Sequence, residues 1–307
     1  MKKSILLTGI VVSLTAVIAC RKTNETVQPA APAFTTLANF FKANGATTQT
    51  FAFDAAAGGT FTTPKGTVVE VPGNAFVNTI GLPVDGTVTL DVRDIYTKSD
   101  MILSNVTSKS VSGSPLISGG EAFFKYSQNG HPLKLNDANP ITVRMPRTQG
   151  STPMELYTAL VDTPTGGIKW FPNPNPIDTM NSYLSYQLNA LVGTVDPGSL
   201  WTNCDHAFDN YTSTNLTITL DPDFYNISSF IAFDNVNTVV SLYPYGEVFT
   251  YNYAPLGYHG HLVFIGIKNG KLLTEIQPLT IVENQTVELH PTENNAAALK
   301  QQLEALN

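Results

Sequence analysis

From Phe51 onward, apolar and polar residues alternate in short runs, and the alternation has the two-residue period of a strand with one face on a core. Val88, Leu90 and Val92 alternate with Thr87, Thr89, Asp91 and Arg93, and Ile141, Val143 and Met145 alternate with Thr142 and Arg144. Gly58-Gly59, Pro64-Lys65-Gly66, Pro72-Gly73, Asp85-Gly86, Gly119-Gly120 and Asn129-Gly130 read as turns between these runs, at the spacing of an all-β sandwich. Phe123-Phe124-Lys125-Tyr126 and Leu133-Lys134-Leu135 flank Asn129-Gly130 and predict a hairpin. The pattern predicts a first β-sandwich domain over 34–149, its strands falling between Phe51 and Arg147.

Gly150-Ser151-Thr152-Pro153 marks the expected boundary to a second β-rich domain over 150–307. Glu155 to Leu160 and Ile168 to Phe171 read as two strands around Thr165-Gly166-Gly167, and Pro172 to Pro176 as a rigid turn poor in donors. The stretch from Ile177 to Gly198 mixes both periods and is left open. Two helices are expected near the ends of the folded part. Thr35 or Thr36 caps one through Leu37, Phe40 and Phe41 to Asn44-Gly45, where a strand or loop is the alternative. In the other, Ala296 to Leu306, Leu299, Leu303 and Leu306 share a face; it either packs on a sandwich or serves as a docking handle.

The first 33 residues follow a different pattern. Met1-Lys2-Lys3, an apolar run from Ile5 to Ala19, and Val17-Ile18-Ala19-Cys20 have the architecture of a lipoprotein signal, with Cys20 as the acylated first residue of the mature chain. A membrane-spanning helix would need about 20 apolar residues, more than this run supplies. The reading is therefore a signal peptide over 1–19 and, over 20–33, a polar, Pro/Ala-rich flexible tether.

Composition narrows the functional classes. Charged residues make up 13% of the chain, against about 25% in ordinary soluble domains, which suits an exported β protein with a hydroxyl- and amide-rich surface. The net charge of -7 and the lack of Lys/Arg clusters after Lys22 argue against nucleic acid as a partner. With Cys20 lipidated, Cys204 is the other of two cysteines and no intramolecular disulfide forms.

Gly66-Thr67-Val68-Val69-Glu70-Val71-Pro72-Gly73-Asn74-Ala75-Phe76, followed by Gly86-Thr87-Val88-Thr89-Leu90 and Ile102-Leu103-Ser104, resembles the opening of the small β-sandwich of ankyrins and netrin receptors. It is more similar still to uncharacterised cell-envelope lipoproteins of Bacteroidota. Trp201-Thr202-Asn203-Cys204-Asp205, then Leu216 to Leu220, Phe230 to Phe233 and Pro255-Leu256-Gly257, extend that resemblance over most of the mature chain. It implies a fold and carries no settled activity.

Four groups of residues are candidates for chemistry. Cys204 lies beside Asp205 and His206; on a strand Cys204 and His206 share a side, but an orienting partner and an oxyanion site are missing. Trp201, Asn203 and Cys204 are read as structural, with Asn203 and Asp205 tying backbone groups at a turn. His259 and His261 present two imidazoles on one face, fewer than the three or four ligands of a protein zinc site. Val263, Ile265 and Ile267 continue that face into a core, and His131, His206 and His290 stand apart. Among the acidic residues, Asp91, Asp94, Asp100 and Glu121 are scattered, and Asp221-Pro222-Asp223 reads as a turn rather than a calcium loop. Tyr245, Tyr251, Tyr253 and Tyr258 are the binding candidates, because a face of tyrosines stacks on sugar rings or binds protein.

The expected function is a lipid-anchored, non-enzymatic binding, adhesion or scaffold module of a bacterial cell envelope, acylated as in palmitate-bearing outer-membrane lipoproteins, without cofactor or metal. Its expected partners are the membrane, through the lipid, and a glycan or envelope protein. One alternative is a carbohydrate-binding lipoprotein of polysaccharide uptake, which requires an exposed, contiguous tyrosine stripe. The other is a hydrolase or metal site using Cys204 and His206 or His259 and His261.

Overall fold

The computed structural model describes residues 34–307 except 149–152, 163–166, 181, 190–197, 221–223, 225 and 246–247. The leader with Cys20, the tether, the Gly150-Ser151-Thr152 stretch, Thr165-Gly166 and Asp221-Pro222-Asp223 lie outside the described residues.

The described chain is mostly β, in sandwich-like layers with three helices. A first sheet runs Gln49–Asp54, Thr87–Ile95, Leu116–Gln128, Ser199–Ala207, Glu155–Asp162, Gly167–Pro172. Facing it is a five-stranded sheet in the order Asp178–Met180, Tyr183–Leu188, Ile141–Pro146, Val68–Val71, Gly59–Thr62. Between them lies a core of Val88, Leu90, Val92, Phe124, Tyr126, Val143, Met145 and Cys204 among others. These are the inward positions of the alternating runs, as a strand requires when successive side chains point to opposite faces.

A third sheet of eight strands spans Ser213–Leu220 to Thr292–Asn294 and encloses its own core, including Ile218, Ile231, Phe233, Phe249 and Phe264. Its strands pair antiparallel except Ser213–Leu220 with Gln285–Leu289. A middle cluster joins the layers: Leu116, Trp170 and Trp201 from the first sheet meet Phe230, Val263 and Ile265 from the third. Ile227–Phe233 thus feeds Phe230 and Ala232 to one core and Ile231 and Phe233 to another, which is why it reads as a continuous apolar run.

The helices plug this seam. Helix α1, Leu37–Asn44, is capped by Thr36, whose hydroxyl accepts from the Asn39 N–H at 3.2 Å, and buries Leu37, Phe40 and Phe41. Helix α2, Lys98–Ser104, starts at Thr97 and ends at Asn105 with φ 53°. Helix α3, Ala296–Glu304, buries Leu299 and Leu303 in the same cluster, so it packs on the body.

Two expectations of organisation need correction. The strands from Glu155 to Ala207 belong to the first two sheets, and Ser199–Ala207 pairs with Leu116–Gln128 at the sheet's centre. The pairing therefore changes to the third sheet between Ala207 and Ser213, rather than at 150. Gly119-Gly120 is not a turn either. It is a bulge inside Leu116–Gln128, where the register against Asn203 and Asp205 shifts. Gly120 sits at φ 140°, and a Cβ there would lie 2.6 Å from the Tyr96 ring, so glycine is required.

Candidate functional site

Cys204 occupies the first core, fully buried, with its Sγ 4.0 Å from Met145 Sδ. Burial, reinforced by Asp205, pushes its thiol well above the ordinary range, so the nucleophilic thiolate is disfavoured. His206 points elsewhere: its Nε2 lies 3.7 Å from Asp209 Oδ2. The structure does not join the two residues into a nucleophile and base.

The opposite face of that strand holds an unusual polar cluster. Asn203 and Asp205 both project into the seam, fully buried. The Asn203 amide donates to Asp205 Oδ2 at 2.7 Å, and its Oδ1 accepts from Ser118 Oγ at 3.0 Å. The same amide reaches Glu121 Oε1, also fully buried, at 3.5 Å. Glu121 Oε2 and Asp205 Oδ1 have no hydrogen-bond partner. Burial, then the charge of Asp100, raises the Glu121 carboxyl well above the usual carboxylate range. Burial, then Glu121, does the same to Asp205. One amide thus links two buried acids whose ionisation is disfavoured. Asn203 and Asp205 thus tie each other within a strand, where the sequence pointed to a backbone turn.

Beside this cluster the Arg93 guanidinium stacks over Phe123 at 5.3 Å and Trp201 at 4.9 Å, and Trp170 Nε1 donates to Thr107 O at 2.7 Å. Both tryptophans belong to the seam.

His259 and His261 lie at the solvent end of His259–Lys268, and Val263, Ile265 and Ile267 carry their face into the middle core. His259 Nδ1 is 2.9 Å from Thr280 Oγ1, and His261 Nδ1 is 3.3 Å from Asp234 Oδ1. Among the described residues no group of three His, Cys, Asp or Glu side chains is placed to hold a metal ion.

The tyrosine stripe is broken. Leu216 pairs with Tyr251 and Thr214 with Ala254, so Val248–Pro255 carries an extra residue at this point. A bulge reverses the alternation beyond it. Tyr251 turns inward, 4% exposed, whereas Tyr253 is 43% exposed and lies on Gly113. Burial raises the Tyr251 phenol well above its ordinary range, and its hydroxyl has no partner. Tyr245 pairs with Val248 through its backbone; its side chain lies outside the described residues. Tyr258 stands apart, 36% exposed, on a turn beside Phe208.

Tyr258 lines a cleft of about 330 Å³ with Asp234, Asn235, Val236, Leu256 and His259. The sequence reading missed Asp234 and Asn235. Their signal was the Asp234-Asn235 pair, a turn dipeptide directly after the apolar run ending at Phe233.

No family model matches the chain, and no curated protein matches it. Among the described residues no helix is long and apolar enough to cross a membrane.

Proposed function

We propose that the chain is a lipid-anchored protein of a bacterial cell envelope, acylated at Cys20 and acting as a non-enzymatic binding, adhesion or scaffold module. The observation that carries this reading is Val17-Ile18-Ala19-Cys20 behind two lysines and an apolar run, followed by a Pro/Ala-rich stretch. The envelope location is also what the sequence resemblance of Gly66 to Phe76 and Trp201 to Asp205 implies. The layered β body that follows the Pro/Ala-rich stretch, from α1 onward, supports the reading as well. The buried, proton-retaining state of Cys204 weighs against a cysteine hydrolase.

Metabolic labelling with an alkyne analogue of palmitate tests the reading. Label is expected on the wild-type chain and not on Cys20→Ser. Equal labelling of both, or of neither, contradicts it.

A further inference from the structure

The turn from Asp234 to Asn237 stands between two clefts. One is the Tyr258 cleft. The other, about 350 Å³, is lined by Tyr96, Thr97, Lys98, Asn237 and Asn307, and Asn235 and Val236 form a wall common to both. Each volume lies at the lower end of the roughly 300–1,000 Å³ typical of ligand sites.

Tyr258 is fixed before any ligand arrives. Its N–H donates to Pro255 O at 3.2 Å, and its carbonyl accepts from the Ile281 N–H at 2.9 Å. Gly257, at φ 83°, makes the turn possible. The ring leans on Phe208 at 4.9 Å and 56°, and Phe208 in turn packs on Phe233 at 5.6 Å and Tyr211 at 5.7 Å. An aromatic held from behind and open in front loses little entropy on binding.

Beside this ring the cleft combines the apolar Val236 and Leu256 with polar groups. Asn235 is exposed at φ 59°. The Asp234 carboxylate faces His261, and His259 is exposed beside Thr280. Across the wall the Lys98 ammonium donates to Phe233 O at 2.9 Å, and the Asn237 amide to Tyr96 O and Ser118 O at 3.0 and 2.9 Å. Those two side chains hold the turn in place, while Asp234, Asn235 and His259 line the Tyr258 cleft.

We infer that the paired clefts bind a neutral saccharide, with Tyr258 as the platform for one sugar ring and Asp234, Asn235 and His259 as partners for its hydroxyls. A sugar ring has an apolar C–H face and a rim of donors and acceptors, matching an aromatic body beside short polar side chains. An apolar ligand would strip water from the polar side chains of Asp234, Asn235 and His259 without replacing its hydrogen bonds, at a cost in affinity. A polyanionic chain meets a protein of net charge -7, and the Lys98 ammonium at these clefts is already engaged.

This inference deepens the binding-module reading and rests on it. Saturation-transfer NMR on the full-length chain in detergent micelles tests it, using neutral hexasaccharides of glucose, mannose, xylose and galactose, with hexagalacturonate as the acidic probe. Transfer to at least one neutral hexasaccharide is expected. Apparent affinity should fall by about tenfold in Tyr258→Ala, equivalent to about 1.4 kcal/mol for the lost platform. It should persist in Tyr258→Phe and Tyr253→Ala and weaken in His259→Ala, an exposed position at which folding is not at risk. No transfer to any neutral probe, transfer to the galacturonate alone, or undiminished binding by Tyr258→Ala and His259→Ala would overturn the assignment. Acyl labelling at Cys20 is scored separately, so the anchor and the saccharide site fail independently.

Discussion

The Asn203 side-chain amide donates to Asp205 Oδ2 at 2.7 Å across one strand face, with both residues sealed from solvent. That bond joins two of the buried polar groups of the described body. Glu121 shares the same amide, and each acid leaves one oxygen without a partner. Desolvation disfavours the ionised form, so both carboxyls hold their protons above the usual range.

Stability should therefore fall as pH rises. An unfolded Glu or Asp ionises near pH 4. Below that, folded and unfolded states both carry the protons and the pair's contribution is fully present. Above it the unfolded chain releases protons that the folded chain retains, so the contribution is lost progressively as pH climbs toward the raised folded values. The double variant Glu121→Gln, Asp205→Asn removes both ionisations while keeping the side-chain shapes. Urea unfolding from pH 4 to 9 should show it more stable than wild type at pH 8, by about 1–3 kcal/mol, with the gap closing below pH 5. Parallel pH profiles for the two proteins would contradict the pairing.

Tyr251 and Tyr253 should respond oppositely to substitution. Tyr251→Phe removes a buried hydroxyl that has no partner and should be neutral or stabilising, while Tyr251→Ala should cost about 3–5 kcal/mol as a large cavity opens. Tyr253→Ala should cost about 1 kcal/mol, since Tyr253 is 43% exposed. Thermal unfolding of the three variants checks the order; equal losses for Tyr251→Ala and Tyr253→Ala would mean the bulge is misplaced.

Cys204 should be inert in the folded chain. In a Cys20→Ser background, where Cys204 is the remaining cysteine, iodoacetamide at pH 8 should label the native protein at least about 100-fold more slowly than the urea-unfolded protein, because labelling requires opening of the core. Comparable rates would restore Cys204 as a candidate nucleophile.

The sequence made the strands legible wherever one face meets a core. Val88, Leu90, Val92 and Ile141, Val143, Met145 are inward positions in the structure. The capped helix at Thr36 and the helix carrying Leu299 and Leu303 were also readable. Partnership between distant strands was not: nothing local in Ser199–Ala207 indicates that it pairs with Leu116–Gln128, so the turn signal at Gly150 does not coincide with the change of sheet. Bulges at Gly120 and beside Tyr251 shift register without breaking composition, which hid both the shape of the Gly119-Gly120 segment and the loss of the tyrosine stripe. Helix α2 spans 7 residues, too short for a helical period to show, although Thr97 with Asp100 carried a capping signal. For the candidate sites, the histidine face could be read from its phase with Val263. The cleft at Tyr258 required the Asp234 turn to be brought beside it by strand pairing.

The most direct measurement is membrane fractionation of the full chain and of Cys20→Ser expressed in a bacterial host with lipoprotein processing. The anchored reading predicts wild-type protein in the membrane pellet, extracted by detergent and not by high salt, and Cys20→Ser in the soluble fraction. Retention of Cys20→Ser in the pellet, or wild-type protein in the soluble fraction, would contradict it.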